Sequence, residues 1–472
     1  MNFNSIAYAL FLPLVFIVYW YGLRRHLRAQ NLFLLAVSYL FYGWWDWRFL
    51  LLIVATTLST YGTAIATDRA TSRRAARVWT AANVTLNLGI LAAFKYFNFF
   101  GENLARLFRV FGMQLDWVTI DILLPVGISF YTFQAIGYSI DVYRRDIRPT
   151  RDIIGFATFV AFFPQLVAGP IERATQLLPQ ILSPRRWDYG SAVIGMRQIL
   201  WGLAKKIAIA DLCGHYANII FAQPDYYSGS SLLLGAVLFT FQIYGDFSGY
   251  SDIAQGSAQL LGIRLMDNFR YPYQATSIAD FWRRWHISLM TWLRDYVYIP
   301  LGGSRRGKGR TLLNIAVVFL LSGLWHGASW TFVLWGAWWA VLMIAERLLR
   351  HDGNHRSRRD SVSTLRQLPQ MAGVFALAVI GWLIFRSQTV GELWHIVERI
   401  CSPSILEWAT GWTPTVAIAL LVVVEWIGRR SSFPIERLPM PTWCRWTIYW
   451  ALLGVILWAT EDESAQFIYF QF

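Results

Sequence analysis

The chain has little charge and very few cysteines for its 472 residues. Only 15% of the residues are Asp, Glu, Lys or Arg, whereas a soluble domain typically carries about 25%. The three cysteines, Cys213, Cys401 and Cys444, lie far apart and lack the spacing of metal ligands. These scarcities argue against a soluble globular protein, a disulfide-stapled domain and a cysteine-based metal site.

The sequence also lacks the common signatures of soluble enzymes. It contains no GxSxG nucleophile elbow, no Walker loop, no HExxH motif and no cysteine–histidine catalytic motif. The N-terminal stretch has no basic region before its apolar core and no small-residue cleavage site after it, which argues against a removed signal peptide. Any chemistry must therefore come from another arrangement of residues.

Apolar and aromatic residues dominate instead. The chain is 56% hydrophobic and contains 25 tryptophans and 22 tyrosines, which favour the boundary between lipid and water. A membrane-crossing helix needs about 20 mostly apolar residues. The pattern therefore predicts an all-α polytopic membrane protein surrounded by membrane lipids. The candidate spans are 6–22, 30–47, 49–66, 79–97, 122–141, 152–168, 193–212, 230–245, 247–263, 311–325, 327–346, 368–386, 413–428 and 443–460.

The basic residues predict which side of the membrane each connection faces. The net charge of +14 is spread over short clusters between apolar stretches, which fits the positive-inside rule better than a nucleic-acid surface. With the N-terminus outside, arginine clusters follow alternate spans, so both termini are expected to be extracytoplasmic. The connection 169–191 breaks this alternation. We therefore expect 152–168 to be re-entrant, because Pro164, Gly169 and Pro170 interrupt a continuous helix.

Polar residues beside the apolar stretches predict local detail. Asp246 and Asp252 stand at the junction of two candidate spans, and we expect them to pair with arginines of the basic segment 264–310, because an unpaired carboxylate there is costly. The stretch 393–400 is amphipathic and is expected to lie in the membrane interface. No internal repeat or linker is visible, so we expect one domain over 1–472, with its core at roughly 120–350.

The basic segment 264–310 is interleaved with aromatic residues, as in DFWRRWHISLMTWLRDYVYIPLGG. Arginine pairs with phosphate oxygens and aromatic rings hold apolar groups, so the pattern suits a phosphorylated acyl carrier such as coenzyme A. The alternative is a cytoplasmic connection that only obeys the positive-inside rule. The residues expected to bind the donor are Arg283, Arg284, Arg294, Trp282, Trp285 and Tyr296.

One histidine, His286, lies within this basic segment, and a second, His326, follows it after an apolar stretch. His326 stands in SGLWHGASW, among small residues that let helices approach closely and also leave room for a substrate. A buried, neutral imidazole can take the proton of a hydroxyl that attacks a thioester carbonyl, and then pass it to the leaving thiolate. The alternative is an interfacial histidine held by a main-chain carbonyl. His286, in WRRWHIS, is either exposed or phosphate-contacting, or a second polar group that orients substrate or donor.

Together these segments resemble the membrane-bound O-acyltransferase (MBOAT) family, in particular its bacterial polysaccharide branch of the alginate O-acetyltransferase type. Four further stretches match this branch in order: LPVGISFYTFQAIGYSIDVYR (124–144), FPQLVAGPIER (163–173), DFSGYSDIAQGSAQLLGI (246–263) and the C-terminal FIYFQF. The resemblance implies an MBOAT-type helical bundle around a transmembrane tunnel, with re-entrant or interfacial helices. It places the family's catalytic histidine on His326, in the WHG motif, and its second polar position on His286.

The resemblance also implies an activity. Members of this branch take an acyl group from an intracellular thioester and move it towards an extracytoplasmic acceptor, commonly with a separate periplasmic transferase as partner. We therefore expect an O-acyltransferase of the bacterial inner membrane that uses acetyl-CoA as a substrate and binds no permanent cofactor. The expected acceptor is alginate or a related exopolysaccharide.

Other functions stay open at this point. A transporter or flippase for a lipid-linked sugar, without acyl chemistry, would also need many spans and a basic cytoplasmic groove. A membrane scaffold that only recruits periplasmic partners, or a D-alanyl transferase acting on teichoic acid, are further alternatives. His326→Ala separates the classes, because an acyltransferase should lose its product, a transporter should keep part of its activity and a scaffold should be indifferent.

Overall fold

The computed structural model describes residues 1–114, 124–167, 169–349, 363–460 and 467. Over these residues all regular elements are helices, and five of them are long and apolar enough to cross a membrane. This confirms the prediction of an all-α, multi-pass membrane protein. Their bounds are Trp47–Arg69, Gly229–Leu260, Lys308–His326, Trp330–Leu349 and Leu365–Arg386.

The chain divides into two compact units. One unit comprises Met1–Asp188 with Leu260–Leu265, and the other comprises Tyr189–Gln259 with Met266–Phe472. The expectation of one domain over 1–472 stays a prediction. Three predicted segments lie wholly or partly outside the described residues. They are most of the connection between the candidate spans 327–346 and 368–386, the first two residues of the candidate span 122–141, and the C-terminal FIYFQF apart from Phe467.

The first unit is built from helices that share buried polar contacts. Asn83 on α4 accepts a hydrogen bond from the Thr60 hydroxyl on α3 at 3.2 Å. Its amide nitrogen donates one to the Ser139 hydroxyl on α6 at 2.7 Å. Such bonds stabilise packed helices where lipid offers no alternative partner. The helices are α1 (Ile6–Ile17), α2 (Leu27–Gly43), α3 (Leu50–Arg69), α4 (Arg73–Lys95), α5 (Phe97–Val110), α6 (Ile128–Arg144), α7 (Ile153–Ala161), α8 (Phe163–Leu166) and α9 (Ala174–Leu182).

The predicted re-entrant segment is broken at Phe162, between α7 and α8. The carboxylate of Asp152 caps α7 by accepting the N–H groups of Ile154 and Gly155. The nine residues of α7 rise only about 14 Å, less than half of a hydrocarbon layer about 30 Å thick. These lengths support a segment that does not cross the membrane as one helix.

The second unit contains the remaining helices. Lys205 and Lys206 lie in a π-helical segment, Ala204–Asp211, which joins the first two of them without a break. The helices are α10 (Tyr189–Leu203), α11 (Leu212–Ala222), α12 (Gly229–Leu260), α13 (Ile278–Arg284), α14 (Ile287–Leu293), α15 (Lys308–His326), α16 (Trp330–Leu349), α17 (Leu368–Arg386), α18 (Val390–Ile400), α19 (Pro414–Gly428) and α20 (Thr442–Ala459). The amphipathic stretch 393–400 forms most of α18. Its expected place in the membrane interface stays a prediction.

The prediction of two spans at 230–245 and 247–263 is wrong, because α12 is one continuous helix of 32 residues. Its carboxylates do not mark a helix end. Asp246 lies 2.8 Å from Lys206 Nζ, and Asp252 lies 2.6 Å from Lys205 Nζ. The expected arginine partners are also wrong, since these ion pairs use the preceding helical segment. Paired carboxylates can be tolerated inside a long buried helix, so their presence does not require a connection.

Helices α15 and α16 approach each other through small residues. A Cβ at Gly323 would collide with the main-chain oxygen of Phe332, and one at Gly336 would lie 2.5 Å from that of Phe319. A Cβ at Gly327 would meet the Phe332 ring. The small residues around His326 therefore serve close packing, and the expectation that they leave room for a substrate is wrong at Gly323 and Gly327, where Phe332 fills the space.

Candidate active site

The basic segment folds into two short helices that are anchored by side chains. Ser277 caps α13 by accepting the Asp280 N–H at 3.1 Å. The carboxylate of Glu346 on α16 accepts the next free N–H groups, from Ile278 at 2.6 Å and Ala279 at 3.2 Å. Negative charge at a helix N-terminus is favourable. These contacts fix α13 against α16, and with it the arginines of the last turn.

His286 lies at the junction between α13 and α14 and is almost completely buried, with 1% exposure. Its backbone is left-handed, with φ of 44°, which places the imidazole at the N-terminus of α14. The ring packs at right angles to Phe247, with centroids 4.7 Å apart. Nδ1 lies 3.0 Å from the amide oxygen of Asn268. Burial lowers the pKa of His286 from 6.5 to about 3, so the ring is neutral at physiological pH.

His326 is the last residue of α15 and is 4% exposed. Three aromatic rings pack edge-on against its imidazole, those of Trp325, Trp335 on α16 and Phe385 on α17, with centroid distances of 4.9, 4.9 and 5.1 Å. The ring of Trp325 also contacts His286, at 5.6 Å. The two predicted histidines thus share one aromatic neighbour.

A cavity of about 800 Å³ lies beside α13 and α14. This is within the size range of sites that enclose small organic ligands. Seven arginines and two carboxylates contribute to its lining, a formal excess of five positive charges. The lining contains four of the six predicted donor-binding residues. Its full set is Arg270, Ala279, Asp280, Trp282, Arg283, Arg284, Ile287, Met290, Thr291, Arg294, Arg429, Arg430, Ser431, Ser432, Glu436 and Arg437.

The other two predicted donor-binding residues lie outside this lining. Trp285 is 1% exposed and packs against Trp382, with ring centroids 4.5 Å apart. Tyr296 is buried against Trp292, at 5.0 Å. The alternation of aromatic and basic residues does not distinguish a ring that faces a cavity from one that packs into the core.

The segment 429–437 was missed as part of the site. It follows α19 and contributes three of the seven arginines, Arg429, Arg430 and Arg437. In the sequence these arginines are visible only as a basic cluster after the candidate span 413–428. They lie about 150 residues from α13 along the chain, which hides their place in the cavity. The positive charge that the two segments share was a signal that both face the same side of the membrane.

Aromatic contacts connect the cavity to His326. Trp282 lines the cavity, and its ring contacts that of Trp335 with centroids 5.8 Å apart. Trp335 in turn contacts His326. His326 itself is not part of the cavity lining. Among the residues that the structure describes, there is no group of three or more His, Cys, Asp or Glu that could hold a metal ion.

The fold and this site define a helical integral-membrane protein with a basic cavity and two buried histidines. Comparisons with known proteins agree on one family. Residues 146–352 match the family described as MBOAT, membrane-bound O-acyltransferase family. The chain is 42% identical to a probable alginate O-acetylase AlgI of Azotobacter vinelandii, over 85% of this chain and 78% of that protein.

More distant relatives are named for other reactions. The chain is 28% identical to a peptidoglycan O-acetyltransferase of Helicobacter pylori, over 98% of this chain and 95% of that protein. It is also 28% identical to a teichoic acid D-alanyltransferase of Bacillus subtilis, over 46% of this chain and 58% of that protein. The chain belongs to the membrane-bound O-acyltransferase family and is an O-acyltransferase.

Proposed function

We propose that this protein transfers an acetyl group from cytoplasmic acetyl-CoA towards a hydroxyl of an extracytoplasmic polysaccharide, with His326 as the general base. Alginate or a related exopolysaccharide is the proposed acceptor, since the A. vinelandii relative is named for alginate and covers most of the chain. The H. pylori relative, named for peptidoglycan, supports the same reaction class on another glycan.

The arginine-rich cavity supports a donor that carries several phosphates. Guanidinium groups bind phosphate oxygens through charge-assisted hydrogen bonds. Arg283 and Arg284 already contact Asp280, at 3.5 and 3.1 Å, and Arg294 contacts Asp295 at 2.6 Å. Arg430 and Arg437 approach from the segment after α19. A formal excess of five positive charges complements the diphosphate and the additional phosphate of coenzyme A.

His326 is proposed to act on the acceptor. Its imidazole takes the proton of the acceptor hydroxyl as the hydroxyl oxygen forms a bond to the thioester carbonyl carbon. The tetrahedral intermediate then breaks its carbon–sulfur bond, and the imidazolium returns the proton to the leaving thiolate. The products are an ester and free coenzyme A, so protons and electrons balance without another reactant.

One observation carries this proposal, namely the contact sequence from Trp282 in the cavity lining through Trp335 to His326. A donor whose phosphates occupy the cavity could place its acyl end beside these rings. A transporter would have no comparable need for a buried histidine next to an anion-binding cavity. The aromatic surroundings also exclude water, which would otherwise hydrolyse the thioester.

The membrane orientation is part of the proposal. Joining 230–263 into α12 removes one crossing from the predicted count, and a re-entrant 152–168 removes another. The basic segments 264–310 and 429–437 therefore keep their predicted place on the cytoplasmic side, and both termini stay extracytoplasmic. His326 is the last residue of α15, at the opposite end of that helix from Lys308 and Arg310. We propose the bacterial inner membrane as the location and a periplasmic transferase as the partner that completes delivery to the glycan.

Analysis of surface polymers tests the proposed function. A deletion strain would be complemented with the wild-type chain, with His326→Ala, or with His215→Ala as the control, since His215 is exposed on α11. The acetyl content of one polymer should fall to background in the deletion and with His326→Ala, and should recover with the other two. Unchanged acetylation of every surface polymer in the deletion strain would contradict the proposal.

A further inference from the structure

Asn268 gathers the residues around His286 into one hydrogen-bonded group. Its amide oxygen faces His286 Nδ1 at 3.0 Å, accepts the Ser288 hydroxyl at 2.9 Å and accepts the Ser288 main-chain N–H at 3.4 Å. Its main-chain oxygen accepts the Ile287 N–H at 3.0 Å. Its amide nitrogen donates to the Ser251 hydroxyl on α12 at 3.3 Å. Asn268, His286 and Ser288 are each at most 1% exposed.

These contacts determine which ring nitrogen of His286 carries the proton. A main-chain N–H can only donate, so the amide atom of Asn268 that faces Ser288 must be the oxygen. The same oxygen faces His286 Nδ1, and an oxygen acceptor requires a protonated nitrogen opposite it. The Ser288 hydroxyl is closer to this oxygen than to His286 Nδ1, where the separation is 3.4 Å. The neutral ring therefore carries its proton on Nδ1 and its lone pair on Nε2.

We propose that Asn268 is a positioning residue that holds His286 as the Nδ1–H tautomer, so that Nε2 accepts a hydrogen bond from the acceptor hydroxyl. This inference rests on the proposed acyl transfer. The tautomer distinguishes the two roles that the sequence left open for His286, namely orienting the acceptor substrate and orienting the acyl donor. A lone pair attracts a hydroxyl hydrogen and repels a thioester carbonyl oxygen or the oxyanion formed from it. His286 therefore orients the acceptor, and oxyanion stabilisation belongs to other groups.

The left-handed backbone of His286 supports this reading of the geometry. A non-glycine residue at φ of 44° is strained, and such strain persists where surrounding contacts enforce it. Here the enforcing contacts come from Asn268, which binds the two residues that follow His286 through its main-chain and side-chain oxygens. One residue thus sets the direction of the imidazole and the location of its proton.

Nuclear magnetic resonance of histidine nitrogens tests the tautomer directly. The full-length protein would be labelled with ¹⁵N-histidine in detergent, and the His286 signals identified among the seven histidines by their absence in His286→Asn. We expect a protonated Nδ1 and an unprotonated Nε2 in the wild type. Asn268→Asp keeps an oxygen acceptor and should keep this pattern, whereas Asn268→Leu should lose it. A protonated Nε2 in the wild type would overturn the inference.

The effect of Asn268 on acetyl transfer must be distinguished from a general loss of packing around His286. Asn268→Leu should lower acetyl transfer by on the order of 10²–10⁴, because the wrong tautomer presents a donor where an acceptor is required. Asn268→Asp should retain most of the wild-type rate of acetyl transfer. The affinity for acetyl-CoA, measured by calorimetry, should be the same in both variants as in the wild type. Equal losses in the two variants, or weakened acetyl-CoA binding, would contradict an acceptor-side role for His286.

Failure of this inference is distinguishable from failure of the proposed function. If Asn268→Leu does not fold, the wild type and Asn268→Asp spectra still decide the tautomer. If the spectra agree with the inference but the wild-type protein transfers no acetyl group, the proposed function is wrong and the acceptor-side role falls with it. If transfer depends on His326 while His286 carries its proton on Nε2, only the present inference is wrong.

Discussion

The imidazole of His326 and the indole of Trp335 pack edge to face, with ring centroids 4.9 Å apart and an interplanar angle of 80°. Trp335 is fully buried and also contacts Trp282, which lines the arginine-rich cavity. The same aromatic cluster therefore buries the proposed base and forms part of the wall of the proposed donor site. Substitutions that disturb this cluster should therefore change stability and activity together.

The close contact of α15 and α16 predicts opposite effects for two glycines of one helix. Gly323→Ala should destabilise the protein by about 1–3 kcal/mol, because the new Cβ would collide with the Phe332 main chain. Gly309→Ala, near the start of the same helix, meets no atom within 4 Å. It should be neutral or stabilise by about 0.5–1 kcal/mol. Thermal unfolding in detergent measures both, and equal effects would contradict the packing described for α15 and α16.

The buried ion pairs of α12 predict a large loss on removal of one partner. Lys205→Met leaves Asp252 without its lysine in a site where the two side chains are 5% and 14% exposed. The expected destabilisation is about 3–5 kcal/mol. The double variant Lys205→Met/Asp252→Leu should recover much of it, because neither member of the pair is then left as a buried charge without its partner.

The control for that ion pair is Arg48→Met, which breaks a pair with Asp46 in which the arginine side chain is 68% exposed. It should change the melting temperature little, because exposed ion pairs are weak. If Lys205→Met and Arg48→Met change the melting temperature equally little, the Lys205–Asp252 pair is not buried in the folded protein.

The cavity predicts which arginines affect donor binding. Arg283→Gln, from the segment recognised in the sequence, and Arg430→Gln, from the segment after α19, should each raise the KM for acetyl-CoA. A lost charge-assisted hydrogen bond of about 1.5–3 kcal/mol corresponds to roughly a 10- to 100-fold change. Arg305→Gln is the matched control, since Arg305 lies in the same basic segment, is exposed and is outside the cavity lining. Equal KM values for all three variants would refute a donor role for the cavity.

The buried His286 predicts a pH dependence of stability. Its folded-state pKa is lowered to about 3 by burial, whereas an unfolded histidine titrates near 6.5. Between pH 6.5 and pH 3 the unfolded chain therefore binds a proton on this ring, whereas the folded protein does not. The free energy of unfolding falls as the pH drops through this range. At pH 5 the loss is about 2 kcal/mol.

The comparison for this pH effect is His286→Asn, which removes the titrating ring but keeps an amide donor near Asn268. Between pH 7 and pH 5 the wild type should lose more thermal stability than this variant. A parallel decline of the two melting curves would mean that His286 takes up a proton in the folded state.

The sequence predicted the helical membrane class and much of the basic site. Both signals, apolar stretches of spanning length and clustered arginines, are contained in short segments of the chain. It predicted four residues of the cavity lining, Trp282, Arg283, Arg284 and Arg294. It could not place Trp285 and Tyr296 in the core, since aromatic rings in a basic segment suit both a cavity wall and a packed interior. The arginines of 429–437 required tertiary structure, because chain distance hides which basic clusters converge.

Two errors had the same physical origin. Asp246 and Asp252 suggested the end of a span, and small residues near His326 suggested open space for a substrate. In both cases the deciding neighbour belongs to another helical segment. Lys205 and Lys206 pair with the carboxylates, and Phe332 fills the space above Gly327. Single-sequence patterns show which residues need a partner, but only the fold shows which partner is present.

The most direct test of the account combines acetyl-CoA binding and turnover in purified His326→Ala. We expect this variant to bind acetyl-CoA with wild-type affinity, because His326 is not among the residues that line the arginine-rich cavity. Release of free coenzyme A in the presence of the acceptor should fall by about 10²–10⁴, the usual contribution of a general base. Wild-type turnover by His326→Ala would contradict the central claim that this imidazole carries the acyl transfer.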